Sequence, residues 1–216
     1  MVKISAGRWA CAAMAAMVAA TPAMAADPAS TTQGKWMVRG RVLGVLPQES
    51  GKVDQVPGSD VRISDTVVPE LDFTYFITPN IAAELILATT RHKVEGAGSL
   101  SGVDVGKAWL LPPTLTLQYH FTDFGRFKPY VGAGVNYTVF YDQKAAGGTV
   151  TKLDIENTFG GALQIGFDYM LDDHWGMNFD VKKLFLRPDV KLNGGALSGK
   201  VNIDPWLVGV GVTYRF

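Results

Sequence analysis

From Trp36 onward the chain breaks into segments of roughly 10 to 14 residues in which an apolar or aromatic residue recurs at every second position, with a polar, small or charged one between. A period of two fits extended strands, whose successive side chains point to opposite faces. Eight segments show the pattern. Their apolar parities include Trp36, Val38 and Val42; Val67, Leu71 and Phe73; Ile81, Leu85 and Leu87; and Leu111, Leu115 and Leu117. Further on come Val131, Val135 and Tyr137; Leu163, Ile165 and Phe167; Trp175, Met177 and Phe179; and Trp206, Val208 and Val210. The opposite parity carries Arg39, Arg41, Glu70, Asp72, Glu84, Gln118, Gln164, Asp168, Asn178, Asp180, Lys182 and Arg215.

Parity alone permits two folds. A soluble sandwich turns the apolar parity inward, whereas a barrel in lipid turns it outward and lines its interior with the polar parity. Three features favour the barrel. Connections alternate between short ones (78–80, 122–127, 171–174) and long ones (about 47–65, 93–108, 142–153, 187–203). This is the rhythm of periplasmic turns and external loops. Aromatics (Trp36, Tyr75, Tyr119, Tyr169, Trp175, Tyr214) gather beside the short turns, as an interfacial girdle would. The sequence closes on Phe216 at the end of an alternating strand, which resembles the insertion signal of bacterial outer-membrane barrels. The expected fold is therefore all-β: an eight-stranded antiparallel transmembrane barrel with up-and-down connections.

The first residues read as an export signal. Lys3 and Arg8 precede an apolar stretch from Trp9 to Ala20, and Ala23-Met24-Ala25 offers small residues for cleavage after Ala25. That stretch is shorter than the roughly 20 residues of a spanning helix. The expected organisation is a signal peptide over 1–25, a polar lead-in over 26–34 and a barrel over 35–216. The sole cysteine, Cys11, lies in the signal, so the mature chain lacks thiol chemistry and disulfides. Without Lys3 and Arg8, eighteen basic residues face twenty acidic ones, a balance that suggests no nucleic-acid partner.

An enzyme is not expected. The mature serines (Ser30, Ser50, Ser59, Ser64, Ser99, Ser101, Ser198) fall in the lead-in or the long loops, away from any strand that would hold a nucleophile against its base. His92, His120 and His174 are scattered and show no metal-ligand spacing, and nothing implies a cofactor.

The inward parity divides into two levels. Near the short turns lie Arg39, Glu84, Asp168, Asp180 and Arg215, with Gln118, His120 and Lys128 beside them. Buried charges need partners, so ion pairs closing the base are expected. Near the long loops lie Leu43, Ile86, Leu110, Phe140 and Leu184, an apolar chamber wall. Pro112-Pro113 removes two ladder donors from strand four. Either the wall opens there, letting a solute leave sideways into lipid, or the strand begins late and the prolines belong to the loop. Pro69 could weaken the same part of the wall. Arg91-His92-Lys93, at the base of a long loop, could contact lipopolysaccharide phosphates or be simply solvated.

Several segments resemble the OmpW family: IAAELILATTRHKVEG (81–96), LPPTLTLQYHF (111–121), FKPYVGAGVNYTVFYD (127–142) and DPWLVGVGVTYRF (204–216). The resemblance covers nearly all of the mature chain. It implies an eight-stranded barrel whose narrow hydrophobic interior passes small apolar molecules across the outer membrane, with lateral release through the wall. It also implies apolar side chains forming a gate. Ile86 fits such a gate, whereas Lys182 stands where an apolar or aromatic partner is expected. The expected partners are outer-membrane lipids, lipopolysaccharide and a small hydrophobic solute, with the barrel acting as a monomer. The rival expectation is a structural or receptor barrel whose external loops bind surface ligands without transport.

Overall fold

The computed structural model describes residues 34–216. The expected signal peptide and nearly all of the lead-in fall outside those residues. Fifteen strands follow in order. β1 (Trp36–Leu46), β2 (Ser50–Val53), β3 (Ser59–Ile63), β4 (Thr66–Phe76) and β5 (Ile81–Ala88) come first. β6 (Thr90–Gly98), β7 (Asp104–Leu111), β8 (Thr114–His120), β9 (Phe127–Ala145) and β10 (Leu153–Ile155) follow. β11 (Thr158–Met170), β12 (Trp175–Phe185), β13 (Asp189–Leu192), β14 (Leu197–Asn202) and β15 (Trp206–Arg215) complete the set.

Eight of them close an antiparallel barrel in the order β1, β4, β5, β8, β9, β11, β12, β15, with β15 returning to β1. Closure leaves no strand edge, which a lipid environment would punish. Along each stave the outward parity is apolar and open: Val42 is 58% exposed, Leu117 57%, Val135 61% and Ile165 61%. The inward parity is buried even where charged, with Arg39, Asp72, Glu84 and Asp180 at 0% exposure. A soluble sandwich cannot have this arrangement, because each open Val or Leu side chain would forfeit about 1.5–3 kcal/mol in water. Lipid reverses that sign, so parity combined with burial excludes the sandwich. Among the described residues no helix is long and apolar enough to cross a membrane.

The short turns match the sequence expectation at 77–80, 121–126 and 171–174. The long connections differ: they are largely hairpins that carry the staves outward. β6 and β7 pair above β5 and β8, β3 pairs with β6, and β10, β13, β14 and β2 form a four-stranded sheet of their own. Pairing continues because these segments also alternate, and their inner faces bury Val61, Ile63, Val105, Leu153, Ile155 and Val201 against one another.

Candidate functional site: a charged floor beneath two apolar chambers

The barrel interior has a lower polar layer and an upper apolar space. The lower layer is built around Arg39 and Arg41, which follow each other on the inward parity of β1. Arg39 forks onto Asp168, its Nε and Nη2 donating to the two carboxylate oxygens at 3.0 and 2.7 Å. Its Nη1 donates to Glu84 Oε1 at 2.9 Å and to Thr74 Oγ1 at 2.9 Å. Arg41 pairs with Asp72 through Nη2, and its Nε lies 2.7 Å from Glu70 Oε1. Lys182 stands over Glu70 at 2.9 Å and Asp180 at 2.7 Å.

Five carboxylates thus share three cations, and neutral donors meet the surplus acceptors. Tyr130 donates to Asp180 at 2.9 Å, Thr213 to Asp168 at 2.6 Å, and Gln118 to Glu84 at 2.7 Å. Gln164 Nε2 donates to both Glu84 (2.9 Å) and Asp180 (2.7 Å), tying the two arginine clusters together. Fork geometry and full pairing are what make buried charge tolerable. Glycine makes the room. A Cβ on inward-facing Gly166 would sit 2.5 Å from the Tyr130 hydroxyl, and one on Gly211 would meet the Arg41 side chain at 2.8 Å.

The structure therefore brings Arg39, Glu84, Asp168 and Asp180 into one buried network. Arg41, Glu70 and Asp72, inward by parity in the sequence, complete it. Arg215 stands apart at the rim: its guanidinium lies 4.0 Å from the centre of the Phe76 ring and its Nε donates to the Gly34 carbonyl. Lys182 lines the base of the chamber above it, with Glu70 rather than an apolar side chain as its partner. It is the top of the charged layer, reaching Glu70 of β4 through the lumen past β15 and β1, which lie between β12 and β4 in the wall.

Above Lys182 and Glu70 opens a small chamber walled by Leu43, Val45, Ile86, Leu184 and Leu207. A second lies among the external hairpins and is lined by Val61, Ile63, Val105, Phe140 and Leu153. His92, Leu110 and Ile203 line both and stand between them. The expected lining residues are accordingly split between levels: Leu43, Ile86, Leu184 and Lys182 below, Phe140 above, and Leu110 between the two. His92 points inward, with Nδ1 2.6 Å from the Ser64 carbonyl, so it does not join Arg91 and Lys93 on the outer surface.

Pro112 and Pro113 interrupt a stave that resumes above them as β7, so they do not belong to a loop. The β5–β8 ladder ends at Ile86↔Thr114 and the β6–β7 ladder begins at Thr90↔Leu110. Leu87 to Thr89 therefore face Leu111 to Pro113 without ladder pairs. On the other side, β9 keeps one backbone bond across the break, Tyr137 N–H to Pro113 O at 3.1 Å. Asn136 Nδ2 donates to the Pro112 carbonyl at 3.1 Å, and Thr114 Oγ1 does so at 3.0 Å. Pro69 sits one position above the last β4–β5 pair, Glu70↔Ala88, and so borders the same seam. Pro112 and Thr114 also line the lower chamber. The weakest stretch of wall lies beside the apolar space.

A family model described as the OmpW family matches residues 32–216. The chain belongs to the OmpW family. Among its relatives, an uncharacterised outer-membrane protein of Sinorhizobium fredii is 56% identical over 99% of this chain and 94% of that protein. A dibenzothiophene metabolism operon protein of Pseudomonas aeruginosa is 31% identical over 88% of this chain and 93% of its own length. The crystal structure of the outer-membrane protein OprG from Pseudomonas aeruginosa superposes with a TM-score of 0.78 at 30% identity, covering 85% of this chain and 96% of that one. This OmpW-family barrel resides in the outer membrane, which places the open apolar parity of its staves against lipid.

Proposed function

We propose that the barrel is a non-catalytic conduit for small apolar molecules, admitting them between the external hairpins and releasing them sideways into the membrane. The carrying observation is the pairing of an apolar chamber, closed below by the charged floor, with an interrupted wall at its side. A solute in the lower chamber meets fully paired charges beneath it. Crossing them would mean breaking buried ion pairs, at a cost of about 3–5 kcal/mol when one partner is lost. The seam at Pro112-Pro113 asks for no such loss, because its ladder bonds are already absent. The dibenzothiophene metabolism operon protein among the relatives supports an apolar solute class. Entry of an apolar and a polar compound of equal size into liposomes carrying the refolded barrel tests the reading. Faster entry of the apolar compound alone, lost in Ile86→Lys, is expected. Equal acceleration of both, or of neither, would favour a structural or receptor barrel.

A further inference from the structure

One sector of the barrel exterior is basic in a way its own ladder disfavours. The register places Lys93 of β6 opposite Lys107 of β7, and Lys107 opposite Lys144 of β9. Three exposed ammonium groups therefore stand in one row on the outward face. Like charges directly opposite across a ladder are destabilising. Asp142 lies 3.1 Å from Lys144. Among the described residues no carboxylate stands within ion-pair distance of Lys93 or Lys107. Glu95 lies one outward position further along β6, between Arg62 of β3 and Asp104 of β7.

The next row toward the membrane is aromatic. Arg91 lies opposite Trp109, and Trp109 opposite Tyr141. The Arg91 guanidinium sits 5.7 Å from the centre of the Trp109 ring, and the Trp109 and Tyr141 rings stack at 6.2 Å. Tyr141 is anchored by its hydroxyl, 2.5 Å from Thr89 Oγ1. An irregularity in the β7–β9 ladder lets both Tyr141 and Lys144 face outward, with Asp142 in the left-handed region at φ 45°. Leu87 and Leu111 continue the same face into the apolar band. Aromatic belts mark the membrane–water interface, so the lysine row stands at headgroup height. Across the barrel, cations at comparable positions are already answered: Lys183 donates to the Asp204 carbonyl and Arg187 pairs with the Asp204 carboxylate.

We infer that the Lys93–Lys107–Lys144 row, with Arg91 below it, is a binding surface for the phosphorylated headgroup of the outer-leaflet glycolipid, lipopolysaccharide. A phosphate between the lysines would neutralise the repulsion that the register creates. Acyl chains would lie along Leu87 and Leu111 beneath the Trp109–Tyr141 girdle. The inference rests on the outer-membrane location and is independent of the transport reading.

The test uses the refolded barrel in phosphatidylcholine nanodiscs, with or without bisphosphorylated lipid A, followed by thermal unfolding and by native mass spectrometry of retained lipid. Lipid A should raise the unfolding midpoint and remain bound. Lys107→Gln should raise the midpoint in phosphatidylcholine alone, by relieving repulsion, and should abolish the gain from lipid A; Lys93→Gln should act the same way. Lys152→Gln, an exposed loop lysine removed from the row, should keep the full gain. An undiminished gain in Lys107→Gln would overturn the inference, as would an equal loss in Lys152→Gln. Full gain from dephosphorylated lipid A would show acyl contact alone, and full gain from inorganic phosphate would show a free-anion site; either contradicts it.

Discussion

The lower and upper halves of the interior are lined by the same inward parity of the same staves, yet they do opposite things. On β1 the inward residues read Arg39, Arg41, Leu43, Val45, and on β12 they read Asn178, Asp180, Lys182, Leu184. The change from charge to hydrocarbon falls at one level around the barrel, between Arg41 and Leu43 and between Lys182 and Leu184. Below it, every long polar side chain is spent on another. Above it, the walls are mostly hydrocarbon, with Thr90, His92 and Thr114 the few polar groups among them, and space remains between the side chains. An eight-stranded barrel has just enough interior for side chains to fill; here polar side chains fill the bottom, and apolar ones pack more loosely above them. The contrast teaches that closure and access are separated along the axis, and that the break in the wall lies on the side of access.

Perturbing the floor should produce the largest effect. Arg39→Met leaves Asp168 and Glu84 buried without their cation, and urea unfolding in lipid vesicles should show a loss of about 3–5 kcal/mol. The same substitution at Leu43, one level up, removes no charge partner. Leu43→Met should change stability by less than about 1.5 kcal/mol, as volume-conserving swaps do. Equal losses at the two positions would dissolve the distinction between the levels. Gly166→Ala tests the packing beneath, since the added methyl meets the Tyr130 hydroxyl. A loss of about 1–3 kcal/mol is expected from overpacking, and Tyr130→Phe in the same chain should not recover it, because the ring carbon and the Phe179 carbonyl still meet the methyl and Asp180 loses its donor.

The seam predicts a gain instead. Pro112→Thr with Pro113→Val restores two ladder donors, each worth about 0.5–1.5 kcal/mol net. The double variant should be more stable and admit apolar solute more slowly. Stabilisation without slower entry would separate the seam from the route. The smallest effect is expected outside the membrane, in the turn at 171–174. There Asp172 accepts the N–H groups of His174 at 2.8 Å and Trp175 at 2.7 Å, and these bonds hold its carboxyl below the ordinary range. A depressed folded-state pKa stabilises above the ordinary carboxylate range and is lost as pH falls through the folded value. Asp172→Ala should thus destabilise the barrel slightly at neutral pH and become silent in acid, as read by pH-dependent unfolding.

Much of this was legible in the sequence, because a stave's parity is a local property. Val38, Leu85, Leu117 and Val210 could be assigned to one face, and Arg39, Glu84 and Asp168 to the other, from alternation alone. What parity does not carry is which inward residues meet across the lumen. Lys182 looked misplaced beside Ile86 because Glu70, its partner, lies 112 positions away in sequence. The upper chamber was harder still. Its walls come from hairpins whose alternation runs for only a few residues, as in Val61-Arg62-Ile63, Leu153-Asp154-Ile155 and Val201-Asn202-Ile203. Those short runs, each with two apolar residues flanking a polar one, were the available signal that the long connections continue as strands. The prolines illustrate the same limit. Sequence identified the missing donors, but only the ladder registers on both sides of Pro112-Pro113 show a strand resuming above them.

The most direct measurement uses the absence of cysteine between residues 34 and 216. Ala88→Cys and Pro112→Cys fall opposite each other in the gap between the β5–β8 and β6–β7 ladders. Apolar solute entry into liposomes would be compared before and after oxidation of this pair, with a polar solute of equal size as the reference. If the solute leaves through the wall, cross-linking should suppress apolar entry, and reduction should restore it, with polar entry unchanged throughout. Apolar entry that is indifferent to the cross-link would contradict lateral release.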